Sequence, residues 1–224
     1  DGGCFAVSIA PVLQSDVYRI VGEPCFGGVL VVADHASNRV PPEVDLGIDL
    51  ALLNEHIAVD IGVGAIAEMM VRGGTCAYLA NVSRLVCDFN RDPGAAGLVP
   101  AMSDGHHIAG NQIGPDGIAE RVTRYFDSYH DGLASLLDAT PQSLILSLHS
   151  FTPKLKSNPD ELRPWHVGVL YNEDDRAARL AIPLLEAEGL TVGDQRPYSG
   201  KILNATMNRH AEVEGRPYLG IEVR

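Results

Sequence analysis

Short apolar runs alternate with longer amphipathic stretches along this chain, and the alternation limits the folds available to it. Each apolar run is too short for an ordinary helix and suits a buried strand. Predicted strands cover residues 29–33, 75–80, 143–149, 167–171, 191–192 and 218–223, and predicted helices cover 50–71, 118–137 and 174–188. Strands separated by helices are typical of sheets with helices on both faces. The sequence predicts an α/β fold, a three-layer α/β/α sandwich around a mixed, mostly parallel central sheet.

Length and composition agree with one globular domain over residues 1–224. Hydrophobic residues make up 46% of the chain and charged residues 21%, an ordinary balance for a folded protein. The stretch 93–115 is rich in Gly, Pro, Ser and Asp, and we interpret it as a long loop of the functional kind, a possible lid. Because the chain stops at Arg224 directly after a predicted strand, we expect the natural protein to continue beyond it.

The charge of the chain narrows its possible partners. A formal net charge of −12 disfavours nucleic acid and anionic membranes, although a locally positive pocket can still bind an anionic small molecule. No apolar run approaches the roughly 18 to 20 residues of a membrane span, so we expect no membrane partner. The sequence indicates no oligomeric state.

The four cysteines form no CxxC pair and no zinc-finger spacing; they are Cys4, Cys25, Cys76 and Cys87. Reduced thiols in a cytoplasmic protein explain this spacing best, with a sulfur-containing metal site as the alternative. The first residues lack a basic segment followed by a long apolar one, so they do not resemble a signal peptide.

Three predicted strands end in, or carry, groups capable of chemistry. His35 follows the strand at 29–33, His149 ends the strand at 143–149, and Glu222 is the single carboxylate of the last strand. In open α/β sheets, sites are built where the strands end. Two imidazoles and one carboxylate placed in this way suggest a metal hydrolase.

His35 belongs to the polar segment Asp34-His-Ala-Ser-Asn38. A neutral imidazole with a polar group three residues later suits a zinc ligand pair, although an amide is a poorer ligand than a carboxylate. The alternative is that Asp34 and Asn38 only form a turn before the two prolines that follow.

His149 is costly to bury in an apolar strand without a partner. Ser147 and Ser150 flank it and can orient its ring, as groups behind a metal-bound imidazole do. A core histidine with satisfied hydrogen bonds is an equally good interpretation of the local sequence.

His56 and Asp60 lie four residues apart in the predicted first helix and would share one face of it. They could supply a third metal ligand or a carboxylate behind one, but a surface contact is the more common role of such a pair.

A segment rich in arginine and aspartate carries Arg84, Asn90 and Arg91. Arginine binds carboxylates with two hydrogen bonds, and an asparagine amide adds a donor. Without further information we favour the alternative that Asp88 and Asp92 neutralise these arginines. The chain has no GxSxG, HExxH or GxxxxGK[ST] motif.

Taken together in their order, these segments resemble the N-formylglutamate amidohydrolase family. The matching segments are Asp34-His-Ala-Ser-Asn-Arg-Val-Pro41, His56-Ile-Ala-Val-Asp60-Ile-Gly, Ser83-Arg-Leu with Asp88-Phe-Asn-Arg-Asp92, His149-Ser-Phe-Thr-Pro153 and Gly220-Ile-Glu-Val-Arg224. That family is similar in fold to the zinc carboxypeptidases and aspartoacylases, so the resemblance implies a zinc-exopeptidase-like sandwich.

The resemblance also implies roles for individual residues. His35 and His149 would be zinc ligands, Asn90 and Arg91 would bind the substrate carboxylate, and Arg84 would bind an anion or polarise the carbonyl. Glu222 would be the base that activates water. At Asn38 those relatives have a carboxylate ligand, which leaves three alternatives: Asn38 binds the metal weakly, Asp60 replaces it as the third ligand, or the affinity for metal is low.

The implied function is a zinc-dependent amidohydrolase that releases an acidic amino acid from a small N-acyl derivative such as N-formylglutamate, a reaction of histidine degradation. Two alternatives stay open. One is a non-catalytic domain that binds small carboxylates, which the amide at Asn38 favours. The other is a hydrolase of another substrate, such as a peptide C-terminus.

Overall fold

The computed structural model describes residues 15–224. The strands are β1 (Tyr18–Val21), β2 (Val29–Ala33), β3 (Thr75–Ala80), β4 (Met102–Ser103), β5 (His106–His107), β6 (Leu144–Ser150), β7 (Val167–Leu170), β8 (Val192–Asp194) and β9 (Tyr218–Val223). The α-helices are α1 (Val63–Met70), α2 (Pro115–Arg121), α3 (Ser128–Ala139), α4 (Arg176–Ala187) and α5 (Ala205–Met207). A π-helical segment, Val122–Asp127, joins α2 to α3, and another, Asn208–Glu212, follows α5.

Seven of the strands form one central sheet in the order β1-β3-β2-β6-β9-β7-β8. The four middle strands β3, β2, β6 and β9 run parallel, while β1 and β7 are antiparallel to their inner neighbours. The predicted α/β fold with a mixed, mostly parallel sheet is confirmed. The parallel strands deliver their carboxyl ends to one edge of the sheet.

Side chains that alternate along β2 and β3 build two apolar clusters, one on each face of the sheet. Leu30, Val32 and Tyr78 face α3, where they meet the buried Tyr129 and Leu133. The neighbouring positions in the two strands point to the other face. There Val31, Ala33, Ala77 and Leu79 pack against Val63 and Ala67 of α1. Helix α4 covers β7, β8 and β9.

Most of the predicted elements are present, but the helix predicted over 50–71 is wrong. Only a 3-10 helix, Leu50–Asn54, and the helix α1, Val63–Met70, form in that stretch. Between them the chain turns back to the sheet, because the Asp60 backbone N–H donates to the His35 carbonyl at 3.0 Å. Gly62, with a φ of +84°, permits the left-handed conformation from which α1 starts. His56 and Asp60 therefore do not share a helix face.

The long segment 93–115 is mostly loop, as predicted, but it contains the β4–β5 hairpin and a short 3-10 helix, Ala109–Asn111.

The cysteines are only partly as predicted. Cys76 and Cys87 are free and buried, whereas Cys25 is disulfide-bonded, and Cys4 lies outside the described residues. No helix in residues 15–224 is long and apolar enough to cross a membrane.

Candidate metal centre

The polar groups predicted at the strand ends lie together at the carboxyl edge of the sheet. His35 follows β2, His149 lies near the end of β6, and Glu222 sits opposite His149 in the neighbouring strand β9. All three side chains are buried. The parallel arrangement of β2, β6 and β9 explains the meeting, because it brings these three positions to one edge although they are distant in the sequence.

Asp60 completes a compact group with the two imidazoles. Its Oδ2 lies 2.9 Å from Nδ1 of His149 and 3.3 Å from Nδ1 of His35. The two ring centroids are 5.0 Å apart. One nitrogen of each ring and one Asp60 oxygen lie within 4.8 Å of one another, close enough to hold a common ion. A backbone N–H from Ser150 also reaches Asp60 Oδ2, at 3.3 Å, and helps to fix the carboxylate.

The nitrogen of each ring that points away from Asp60 faces another carboxylate. His35 Nε2 lies 2.7 Å from Asp88 Oδ1. His149 Nε2 lies 3.5 Å from Asp34 Oδ2, and within residues 15–224 neither of these two buried atoms makes a hydrogen bond. Tyr129 donates to the other Asp34 oxygen at 2.8 Å and holds that side chain in place. Carboxylates behind imidazoles in this way are typical of metal-binding histidines, whose ring orientation they fix.

The charges of the group fit a divalent cation. Burial alone would raise the pKa of Asp60, but His35 and His149 hold it well below its usual range. Burial lowers the pKa of His149, but the neighbouring carboxylates of Asp34 and Asp60 raise it by more, well above its usual value. Three buried aspartates, Asp34, Asp60 and Asp88, surround the imidazoles. Arg84 and Arg91 compensate only part of this negative charge, so the group favours an additional cation. The donor set of two nitrogens and one oxygen suits zinc.

Asn38 points away from this group. Its amide donates to the Asn54 side chain at 3.2 Å. Of the two residues considered for the third ligand, Asp60 is therefore the one that the structure brings to the imidazoles. The sequence could not decide this, because Asp60 reaches the site through the turn that replaces the predicted helix.

Arg84 is held by two aspartates beside the imidazoles. Its Nη2 and Nε donate to Asp88 Oδ2 at 2.7 and 3.2 Å, and its Nη1 lies 3.3 Å from Asp60 Oδ1. The neutralising network considered from the sequence is present around Asp88, which also lies 3.7 Å from Arg91. The other two N–H groups of the Arg84 guanidinium form no hydrogen bond within residues 15–224, and Arg84 lines the cavity.

Asn90 and Arg91 line the same cavity. The Asn90 side-chain oxygen accepts from the backbone N–H of Thr206 at 3.1 Å, which leaves both of its amide hydrogens available as donors. An amide fixed in this way, beside a guanidinium, can bind a carboxylate.

Glu222 is buried and one of its oxygens, Oε2, has no hydrogen-bond partner within the described residues. Burial raises the pKa of Glu222 to about 7, although His149 acts in the opposite direction. A carboxyl group that titrates near neutral pH can both accept and release a proton there.

The cavity that these residues share has a volume of about 140 Å³. Pockets for drug-sized ligands typically range from about 300 to 1,000 Å³, so this one suits a smaller molecule. His56, predicted as a possible ligand or surface contact, lies at its wall, where His56 Nε2 is 3.0 Å from Asp104 of the β4–β5 hairpin.

Sequence reasoning considered Asp34 only for a turn and Asp88 only as a partner of the arginines, and it assigned no role to Tyr198 or Arg163. Asp34 and Asp88 carried a signal, since each belongs to a motif that supplies another site residue. Tyr198 lines the cavity and Arg163 donates to its hydroxyl, but both come from loops without a recognisable pattern.

Comparison with known proteins identifies the family and the fold of this chain. A family model described as N-formylglutamate amidohydrolase matches residues 27–224. A solved structure of the gene product Atu2144 from Agrobacterium tumefaciens is 26% identical, with a TM-score of 0.84 over 93% of this chain and 84% of the other. The N-formylglutamate amidohydrolase from Ralstonia eutropha JMP134 is 18% identical and shares the fold, with a TM-score of 0.73 over 94% of this chain and 86% of the other. No curated protein matches the sequence.

Proposed function

The chain belongs to the N-formylglutamate amidohydrolase family, and we propose that it is a zinc-dependent hydrolase that cleaves the N-formyl amide of N-formylglutamate or a similar acidic N-acyl amino acid. The observation that carries the proposal is the buried group of His35, Asp60 and His149 beside Glu222. When bound by these three side chains, zinc lowers the pKa of a water ligand and polarises a carbonyl group.

Glu222 is the base of the proposed reaction. With a pKa raised by burial to about 7, it takes a proton from the attacking water at neutral pH and passes it to the leaving amine. Its unpartnered Oε2 is the atom for this transfer.

Arg84, Asn90 and Arg91 bind and orient the substrate in this proposal. The amide of Asn90 and the guanidinium of Arg91 bind the α-carboxylate. The two remaining N–H groups of Arg84 stabilise the negative charge that develops on the carbonyl oxygen. Arg84 also forms hydrogen bonds with Asp60, the proposed metal ligand, and with Asp88, which contacts His35. These bonds hold both carboxylates in position.

The two other functions considered from the sequence have less support. A carboxylate-binding domain without a catalytic metal was favoured by the amide at Asn38, but Asp60 supplies the acidic ligand that Asn38 lacks. A cavity of about 140 Å³ suits a small N-acyl amino acid better than the end of a peptide.

The expected cytoplasmic location is supported by the free thiols of Cys76 and Cys87, but the disulfide at Cys25 argues against it.

Metal removal tests the proposal directly. The purified protein is dialysed against a chelator, assayed for release of formate from N-formyl-L-glutamate, and assayed again after addition of one equivalent of zinc. We expect the activity to disappear and to return with zinc. Full activity in metal-free protein would contradict metal dependence, and no activity with any acidic N-formyl amino acid would contradict the substrate assignment.

A further inference from the structure

Arg163 carries a buried positive charge without an acidic partner. It lies in the segment between β6 and β7, and the residue is only 4% exposed. None of the ion pairs formed within residues 15–224 includes Arg163. Its buried Nε has no hydrogen-bond partner in the described part of the chain. Because a buried, uncompensated charge is costly, such a group calls for a negative ligand near it.

Within residues 15–224, the Arg163 side chain forms a hydrogen bond with one other side chain, that of Tyr198, which lines the cavity. Its Nη1 donates to the Tyr198 hydroxyl oxygen at 2.9 Å, and its guanidinium carbon lies 5.0 Å from the centre of the Tyr198 ring. Since this oxygen accepts from Arg163, the hydroxyl hydrogen points away from the guanidinium. No residue within 15–224 accepts that hydrogen, and Tyr198 lines the cavity that contains His35 and His149.

The other arginines of the cavity differ from Arg163 because each of them lies within ion-pair distance of an aspartate. Arg84 is bonded to both Asp60 and Asp88, and Arg91 lies 3.7 Å from Asp88. The cavity therefore has a second place for a negative group, at the Tyr198 hydroxyl, where the positive charge is uncompensated.

We propose that Tyr198, positioned and polarised by Arg163, binds the side-chain carboxylate of the substrate and thereby selects N-acyl amino acids with an acidic side chain. This inference rests on the proposed function and adds the residues that determine its specificity. Tyr198 donates its hydroxyl hydrogen to the carboxylate. Arg163 does not line the cavity and acts through Tyr198, both by orienting the hydroxyl and by compensating the charge of the ligand.

The test compares N-formyl-L-glutamate with N-formyl-L-glutamine, which has nearly the same shape and no side-chain charge. For Tyr198→Phe we expect the KM for the glutamate substrate to rise about tenfold or more, the usual effect of losing a hydrogen bond to a charged group, with kcat nearly unchanged. The KM for the glutamine substrate stays the same. Arg163→Met has the same effect, and Arg163→Lys restores part of the preference because it keeps the charge.

Matched controls are Tyr171→Phe and Arg179→Met, whose side chains bond to Asp194 and Asp175 outside the cavity. Both controls keep the wild-type preference. Equal losses for the two substrates in Tyr198→Phe and Arg163→Met would indicate a purely structural role and overturn the inference, as would an unchanged preference.

A binding measurement separates failure of this inference from failure of the proposed function. If the wild-type protein hydrolyses neither substrate, glutarate and butyrate are titrated calorimetrically into the wild type and Tyr198→Phe. Tighter binding of glutarate that is lost in the variant supports the subsite without the hydrolase activity. Equal binding of the two acids to the wild type overturns it.

Discussion

At the scale of single residues, the sequence left Asn38 and Asp60 as candidates for the third ligand of the proposed metal site. The Asn38 amide bonds to Asn54, while the Asp60 carboxylate lies between the two imidazoles. Asp60 also accepts from Arg84 and from the Ser150 backbone. In the proposed metal site, we therefore assign the role of third ligand to Asp60.

Replacement of Asp60 tests this assignment. Asp60→Asn keeps the shape but removes the charge, so we expect zinc affinity to fall by at least about 100-fold, the upper end of what loss of a supporting carboxylate costs. Zinc content after dialysis, measured by atomic emission, gives the result. Asn38→Ala is the control and retains its zinc. Loss of zinc in Asn38→Ala with retention in Asp60→Asn would reverse the assignment.

Glu222→Gln tests the proposed base. The variant keeps the volume of the side chain but cannot accept a proton, so kcat for N-formyl-L-glutamate should fall by about 100-fold or more. The zinc content and the KM should stay close to those of the wild type. Near-native turnover would remove Glu222 as the base.

At the scale of elements, the packing of α3 on the sheet depends on one helical glycine. A Cβ atom added at Gly132 would lie 2.5 Å from the Tyr18 ring and 2.6 Å from the Tyr78 hydroxyl. Those two rings stack with centroids 4.6 Å apart, and the Tyr78 hydroxyl donates to the Tyr129 carbonyl at 2.7 Å, so neither can move easily. The close approach of α3 to β1 and β3 therefore requires glycine.

The variant Gly132→Ala should consequently lower the free energy of unfolding by about 1 to 3 kcal/mol, the usual cost of overpacking a core. Helix propensity alone predicts the opposite, a gain of about 1 kcal/mol. Urea unfolding followed by circular dichroism measures the change. Gly114→Ala is the control, because a Cβ there has no neighbour within 4 Å. A more stable Gly132→Ala would contradict the described contact.

The elements differ in how well the sequence predicted them, for physical reasons. Strands β2, β3 and β9 have the bounds that their apolar runs predicted, because buried strands need continuous apolar residues. The helix over 50–71 had nearly helical spacing, but the tertiary bond from Asp60 to the His35 carbonyl prevailed over it. The edge strand β1 was missed, since one buried and three half-buried residues carry little pattern.

The sequence likewise predicted only part of the candidate site. His35, His149 and Glu222 were predictable because each lies at or near the end of a recognisable strand. Asp60 could be considered only as an alternative, since its position depends on the turn before α1. Arg163 and Tyr198 lie in loops, and only the fold brings them together.

At the scale of the whole molecule, stability should decline in acid because of a buried pair of histidines. His130 Nδ1 lies 2.9 Å from His210 Nε2, and His130 Nε2 lies 3.0 Å from the Phe89 carbonyl. Burial lowers the pKa of His130 to about 3 and that of His210 to about 4. Both rings are therefore neutral in the folded state at pH values where the unfolded chain, with a histidine pKa near 6.5, is protonated.

Because the folded pKa values are depressed, the contribution of the pair is complete above about pH 6.5 and is lost as the pH falls toward about 4. Each histidine contributes a slope of about 1.4 kcal/mol per pH unit within that window. Urea unfolding between pH 7 and 4 should show a smaller slope in the double variant His130→Gln, His210→Gln than in the wild type. Identical slopes would contradict neutral, buried rings.

The proposed function of the whole molecule depends on one divalent ion held by His35, Asp60 and His149. The most direct test is anomalous scattering at the zinc edge from crystals of protein loaded with one equivalent of zinc. We predict one strong peak, about 2.0 to 2.2 Å from a nitrogen of each imidazole and from an Asp60 oxygen. A peak bound by other residues, or no peak among these three side chains, would contradict it.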